Sequence, residues 1–241
     1  MPHPSLLFLP GTLCTGAVFA RQAEALKSCA GEIQTVEFRL ERSIEAMAHT
    51  SAKNIPENSR ASLVGFSMGG MVAITLAALY PQKVERIALL NSNSHPDLPD
   101  RRAKRTKALE AARHRGLRDV VSEKMLPAYL YRQEPEHREM ILDMAEEHGL
   151  EAFEAQVTAL SKRPDLASLL KNLECPVLIV GGREDPLCPP ASQQDMFHQA
   201  RRGKLLMLEQ CGHFSVLEKA GEINRALTDW ISTPGGGWNP A

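Results

Sequence analysis

A hydroxyl, an imidazole and a carboxylate, each set just after an apolar run, are the side chains of this sequence best suited to covalent chemistry. Ser67 lies in GFSMGG (65–70), a G-x-S-x-G pattern between an apolar run and a long Ala/Leu-rich segment. A strand that turns into a helix within two residues forces such a serine into a strained backbone conformation. It also leaves no room for side chains two residues before and after. The turn aims the backbone N–H groups that follow, at the positive end of a helix dipole, toward the atom the hydroxyl would attack. A serine cap on a glycine-rich helix is the plain alternative.

A serine hydroxyl attacks only when a base takes its proton, and the base needs an acid to orient it. Of the eight histidines, His213 is set apart in LEQCGHFSVLE, after the last strand-like run, with Gly212 permitting a tight loop. His49, His114, His137, His148 and His198 lie in polar helical stretches, His3 lies at the chain start, and His95 sits beside a proline. Asp185, in VGGREDPLCPP, follows another apolar run and can accept the second N–H of His213, fixing its tautomer. Glu184 and Asp97 are the rival acids, and capping the helix that begins near Pro190 is the plain use of Asp185. The order Ser67, Asp185, His213, each directly after a predicted strand, predicts that the three converge at one sheet edge. An oxyanion formed there needs two N–H donors. Met68 supplies one, and Thr12 of LPGTLCTG the other, with Leu13 the next candidate if that turn is shifted by one.

Strand-like runs at 5–9, 33–38, 61–66, 85–91, 176–181 and 204–209 must position these groups. Most are continuous apolar runs, as expected of parallel strands covered on both faces. They alternate with helical patterns, the last of which puts Ile223, Leu227, Trp230 and Ile231 on one face. The expectation is an α/β fold with a mostly parallel sheet of about six strands and right-handed crossovers. From 94 to 164 there is no strand signal. Gly116, Pro127, Pro135 and Gly149 punctuate a helical segment, basic at first and acidic later, whose charges read as solvated faces. Its apolar positions (Met125, Leu126, Tyr129, Leu130, Met140, Ile141, Met144, Phe153, Val157 and Leu160) predict an inward side. An insertion there is placed to cap the carboxyl ends of the strands. The core is thus expected at 1–93 and 165–232, with 233–241 a loosely ordered tail.

The chain has 241 residues and a formal net charge of -1, which removes the usual argument for nucleic acid or an anionic membrane as partner. No run approaches the roughly 20 apolar residues of a membrane span, so a cytoplasmic protein is expected. Five cysteines without a C-x-x-C pair read as reduced thiols. Cys14, Cys188 and Cys211 flank the loops above, but with His213 they match no common zinc spacing, so no metal is expected. One or more of these thiols near the pocket would make turnover sensitive to alkylation.

In the early L-P-G loop, in GFSMGG, in CPVLIVGGREDPLCPP and in CGHFSVLE, the chain resembles the α/β-hydrolase fold family, of the small capped esterase and lactonase type. The likeness spans nearly everything but the insertion and the tail. It implies a nucleophile at Ser67, an acid at Asp185, a base at His213 and oxyanion amides at Thr12 and Met68. Where many relatives carry His-Gly, this chain has Pro10-Gly11. The expected activity is cofactor-independent cleavage of a carboxylic ester or lactone, on a modest, mostly apolar small molecule. Thioester or C–C bond hydrolysis, perhydrolysis, and a hydrolase-fold ligand-binding protein are the alternatives. The Met-rich and aromatic positions of the insertion either line a pocket or form a homodimer contact.

Overall fold

A computed structural model describes residues 4–233; His3 and residues 234–241 of the tail lie outside the described residues. The described residues form one sheet of six parallel strands: β1 (Ser5–Leu9), β2 (Ile33–Thr35), β3 (Ala61–Phe66), β4 (Val84–Leu90), β5 (Val177–Gly182) and β6 (Gly203–Leu208). Their order is β2-β1-β3-β4-β5-β6. The chain leaves β1 toward one edge and returns on the other side as β3, so the loops after β1 and β3 part at a topological switch point. That crevice is where Thr12 and Ser67 meet.

Burial explains which strands read clearly in sequence. All six residues of β3 and all six of β5 are buried, and both are continuous apolar runs. β6, at an edge, is largely half-exposed. The expected strand at 33–38 is cut to three residues, because β1 has no more backbone to offer. The pairing runs Leu6 to Ile33, Leu7 to Gln34 and Phe8 to Thr35, Val36 N–H reaches Phe8 O, and the chain then departs. Val36 and Phe38 are still buried, so their apolar signal was real but belongs to the core rather than the ladder.

Strand side chains alternate between two cores. Leu6, Phe8, Val64, Phe66 and Leu90 pack on one face with α1 (Ala20–Leu26), α9 (Ser215–Glu218) and α10 (Ala220–Ser232), and Ile223, Leu227, Trp230 and Ile231 of the last are all buried. Leu7, Leu9, Leu63, Ile87 and Leu89 pack on the other with α2 (Ile44–Ala52), α3 (Met68–Leu79) and Met196 of α8 (Pro190–Gln199). α3 has no polar face: every residue from Met68 to Ala77 is buried. It is a central helix rather than an amphipathic one.

Between β4 and β5 the chain makes four further helices: α4 (Pro99–Arg115), α5 (Leu117–Val120), α6 (Pro135–Ser161) and α7 (Ala167–Asn172). A π-turn at Val121–Met125 and a 3-10 turn at Leu126–Ala128 join α5 to the approach to α6. α6 is broken at Gly149, whose φ of 76° no helix contains. Of the apolar positions expected to face inward, eight are buried and Met125 and Met140 are half-buried against the first core. The two ends of the insertion are pinned together. Leu166 N–H bonds Ser94 O at 2.7 Å, Arg163 Nε donates to His95 O at 2.9 Å, and the Arg163 guanidinium meets Asp97 at 3.1 Å. Arg105 of α4 grips the same carboxylate. Asp97, a rival acid by sequence, is therefore committed to two arginines.

The Asp97 side chain is fully buried and Arg163 nearly so. Asp97→Ala leaves the guanidinium without its counter-ion and is expected to cost about 3–5 kcal/mol in urea denaturation. Arg118→Ala, which removes an exposed fork to Glu139, Asp143 and Glu146, should leave the midpoint close to that of the parent.

Candidate active site

The turn from β3 into α3 is as tight as its glycines require. Ser67 sits at φ 52° and ψ -114°, a strained conformation for a residue with a side chain. A Cβ on Gly69 would come within 1.9 Å of Leu9 O, and one on Gly65 within 2.4 Å of Gly69 O. The helix start is thus seated directly on the end of β1. Ser67 N–H is tied to Leu90 O at 2.9 Å, which fixes the turn from the neighbouring strand as well.

His213 Nε2 lies 2.9 Å from Ser67 Oγ, and His213 Nδ1 lies 2.8 Å from Asp185 Oδ2. The carboxylate accepts from Nδ1–H, which leaves Nε2 as the acceptor facing the hydroxyl. Asp185 Oδ1 takes the N–H groups of Leu187 (2.8 Å) and Cys188 (2.9 Å). Burial works against its charge, but the His213 charge and these hydrogen bonds outweigh that and hold the carboxyl below its usual range. Phe66, Tyr129 and Phe214 pack around the imidazole, with ring centroids 5.3, 6.0 and 5.9 Å away. The serine, histidine and aspartate singled out by sequence are therefore in one hydrogen-bonded line. The other rival acid, Glu184, accepts Cys211 N–H at 2.8 Å and holds the histidine loop from behind. His95 faces Asp195 at 3.4 Å, away from this line.

In the loop after β1, Gly11 lies against Phe66 and Ser67. Leu13, at φ 56°, donates its N–H to Gln156 Oε1 at 2.8 Å and has none left for a ligand. Among the described residues no hydrogen bond from Thr12 N–H is found, and Met68, at the start of α3, has no helical acceptor for its own. Thr12 rather than Leu13 is the available donor, and its Oγ1 lies 3.9 Å from Met68 Sδ.

Several residues that hold this arrangement carry no motif. Gln156, on α6, also donates to Phe38 O at 2.6 Å and so ties the loop after β1 to the segment after β2. Tyr129 O takes the N–H groups of both His213 (2.8 Å) and Phe214 (3.2 Å). Glu218 accepts Gly212, Tyr131 and Arg132 N–H; burial pushes its carboxyl up, and those bonds pull the other way. Asn91 and Ser92 close the set from the end of β4. Apart from Gly212, which lies six residues before Glu218, their partners lie 25 or more residues away in the chain, so no local spacing announces them.

Among the described residues, Cys188 lies within metal-binding reach of His213, whereas Cys14 and Cys211 are not part of that group. The donors within metal-binding reach of one another are Asp185, Cys188 and His213. They do not fit a metal: the imidazole and carboxylate are spent on each other, and burial pushes the Cys188 thiol up to about 12. A cysteine binds zinc as the thiolate. Burial likewise raises Cys14 and Cys211, and both are inaccessible. The expected sensitivity to alkylation thus loses its physical basis, although Cys188 does lie beside the Asp185–His213 pair.

A serine raised on a strained G-x-S-x-G turn between a strand and a helix of a parallel sheet is the arrangement expected of an α/β-hydrolase. The family profile described as alpha/beta hydrolase fold matches residues 37–220, and the chain belongs to that family. It is 28% identical over 186 residues to a 2-hydroxy-6-oxononadienedioate/2-hydroxy-6-oxononatrienedioate hydrolase of Burkholderia vietnamiensis, covering 71% of this chain and 62% of that protein. It is 25% identical over 202 residues to a pimeloyl-[acyl-carrier protein] methyl ester esterase of Neisseria meningitidis, covering 78% and 62%. The chain thus spans under two thirds of the length of these relatives. A thermophilic esterase from Thermogutta terrifontis superposes with a TM-score of 0.85 at 25% identity, covering 96% of this chain and 92% of the other. The enol-lactonase from Burkholderia xenovorans shares the fold, with a TM-score of 0.86 at 20% identity over 97% and 93%. Among the described residues no helix is long and apolar enough to cross a membrane.

Gly69→Ala must push α3 off β1 and is expected to lower turnover roughly a hundredfold, the cost of displacing a reacting group by about 1 Å; steady-state kinetics on the folded variant measure it. Iodoacetamide near neutral pH should modify the half-buried Cys29 and Cys175 ahead of the three buried thiols and leave turnover intact. Mass spectrometry with parallel assays checks this.

Proposed function

We propose that the chain is a cofactor-independent serine hydrolase that cleaves a carboxylic ester or lactone through an acyl-enzyme. The observation that carries this reading is the continuous line from Ser67 Oγ through His213 to Asp185, at 2.9 and 2.8 Å, on a strained turn beside two available backbone donors. His213 takes the hydroxyl proton as Ser67 attacks the carbonyl carbon, and Asp185 stabilises the imidazolium that forms. The tetrahedral oxyanion is received by Thr12 and Met68 N–H groups, the kind of stabilisation whose loss costs about 3 kcal/mol per donor. The imidazolium protonates the leaving oxygen. Water, deprotonated by the same histidine, then opens the acyl-enzyme and frees the acid. The helices of 94–164 serve as a cap that keeps bulk water from the intermediate and shapes an apolar acyl site on a small-molecule substrate.

A second reading is hydrolysis of a C–C bond next to a carbonyl. The likeness to the hydrolase from Burkholderia vietnamiensis favours it, and the same serine line serves it. Nitrophenyl esters, lactones and vinylogous diketones assayed side by side separate the two.

A fluorophosphonate should label Ser67 alone by peptide mapping. Ser67→Ala should lower ester turnover by a factor on the order of 10⁴ or more while circular dichroism stays unchanged. Labelling at any other residue, or persistent activity in the variant, overturns the assignment.

A further inference from the structure

The turn that ends β4 touches the loops of all three residues in the proposed relay. Asn91 Nδ2 donates to Asp185 Oδ2 at 3.0 Å, the same oxygen that receives His213 Nδ1, and to Gly212 O at 3.1 Å, the carbonyl preceding His213. Asn91 Oδ1 accepts from Ser215 Oγ, which sets the amide the right way round. Ser92 Oγ donates to Ser67 O at 2.8 Å, and Leu90 O receives Ser67 N–H. Asn91 is wholly buried and stands at φ 48°, the left-handed region that Asn tolerates better than most residues. Its own N–H is anchored on Val180 O of β5 at 2.8 Å. A buried amide with both ends satisfied in this way has one orientation.

From this juxtaposition we infer that Asn91 is a positioning residue for the reaction: it holds the Asp185 carboxylate and the peptide before His213 in one frame, and shares the carboxylate oxygen that orients the imidazole. The inference rests on the serine-hydrolase reading above. It gives Asn91 two separable effects. Fixing Gly212 O keeps Nε2 in line with Ser67 Oγ. Donating to Oδ2 takes up part of the charge that otherwise falls on His213 alone, so the amide limits how strongly the carboxylate favours the imidazolium. With the amide removed, that preference grows. Among the described residues, the titratable groups around the Asp185–His213 pair are Tyr129, Cys188, Cys211, Glu184 and Glu218. None of them bonds the Asn91 side chain, so its removal leaves them as they are.

The test uses Asn91→Gly, because glycine keeps the positive φ while deleting the amide, with Asn91→Ala as the strained counterpart. Asn91→Gly should lower kcat by roughly tenfold to a hundredfold, the loss of one hydrogen bond to a charged group. KM should stay within about twofold, and the acid limb of the kcat/KM profile should move up by roughly half a pH unit or more. Ser215→Ala, which frees the amide to turn, should shift the same limb in the same direction by less. The downfield Nδ1–H proton resonance of His213 gives a readout independent of turnover and should move in both variants. An unshifted acid limb and an unmoved resonance in folded Asn91→Gly overturn the inference, whatever happens to kcat. A kcat loss that tracks only the unfolded fraction does so too. If the parent hydrolyses esters without labelling at Ser67, it is the serine-hydrolase reading that fails instead, since the Asn91 measurements then have no relay to report on.

Discussion

The first turn of α3 rests on the carbonyl end of β1 with no space for even a methyl group between them. This contact decides where everything else in the site can be. Because Gly69 lies against Leu9 O, Ser67 stands at the mouth of the crevice between β1 and β3, and the loop after β1 has to pass beside it. In the proposed reaction Thr12 and Met68 offer their N–H groups to the oxyanion, and no side chain needs to be recruited for it. The strain at Ser67 is maintained from both sides, by β1 below and by the Leu90 carbonyl of β4 alongside. A turn held so firmly has little reorganisation left to do when charge develops, which is the condition for electrostatic stabilisation to act on a transition state.

The electrostatics follow from the same crowding. A carboxylate buried as completely as Asp185 is costly unless its oxygens are occupied. Here two backbone N–H groups, one amide and one imidazole occupy them. The histidine is supported from the other side by the inserted segment, since Tyr129 O takes its backbone N–H and Glu218 links residues 131 and 132 to Gly212. The helices over the sheet and the loop that bears His213 are therefore one hydrogen-bonded body.

Legibility in the sequence divides along the distance over which each feature is specified. The turn at Ser67 is readable because its requirements are local: small residues at 65 and 69, an apolar strand before and a buried helix after. β3 and β5 are readable because burial on both faces demands an unbroken apolar run. β2 is misjudged by three residues because Val36 and Phe38 are apolar for the core, while the ladder ends where its partner does. Asn91 and Gln156 escape notice altogether. An amide becomes meaningful only through partners that the fold delivers, and theirs lie 94 and 118 or more residues away. The charges of the insertion are a divided case. Arg118 and its acidic partners form the exposed helix face expected of them, whereas Asp97, Arg105 and Arg163 are a junction inside the protein.

That junction bears on how the fold can diversify. The segment between Ser94 and Leu166 leaves the sheet and comes back at nearly one point, closed there by a backbone bond and an arginine–carboxylate clasp. Strands β4 and β5 consequently register with each other without reference to how much chain lies between them. A graft of different length and chemistry, joined at the same two points, would meet the same strand register, but it would have to resupply the bonds by which Gln156 and Tyr129 steady the loops after β1 and β6.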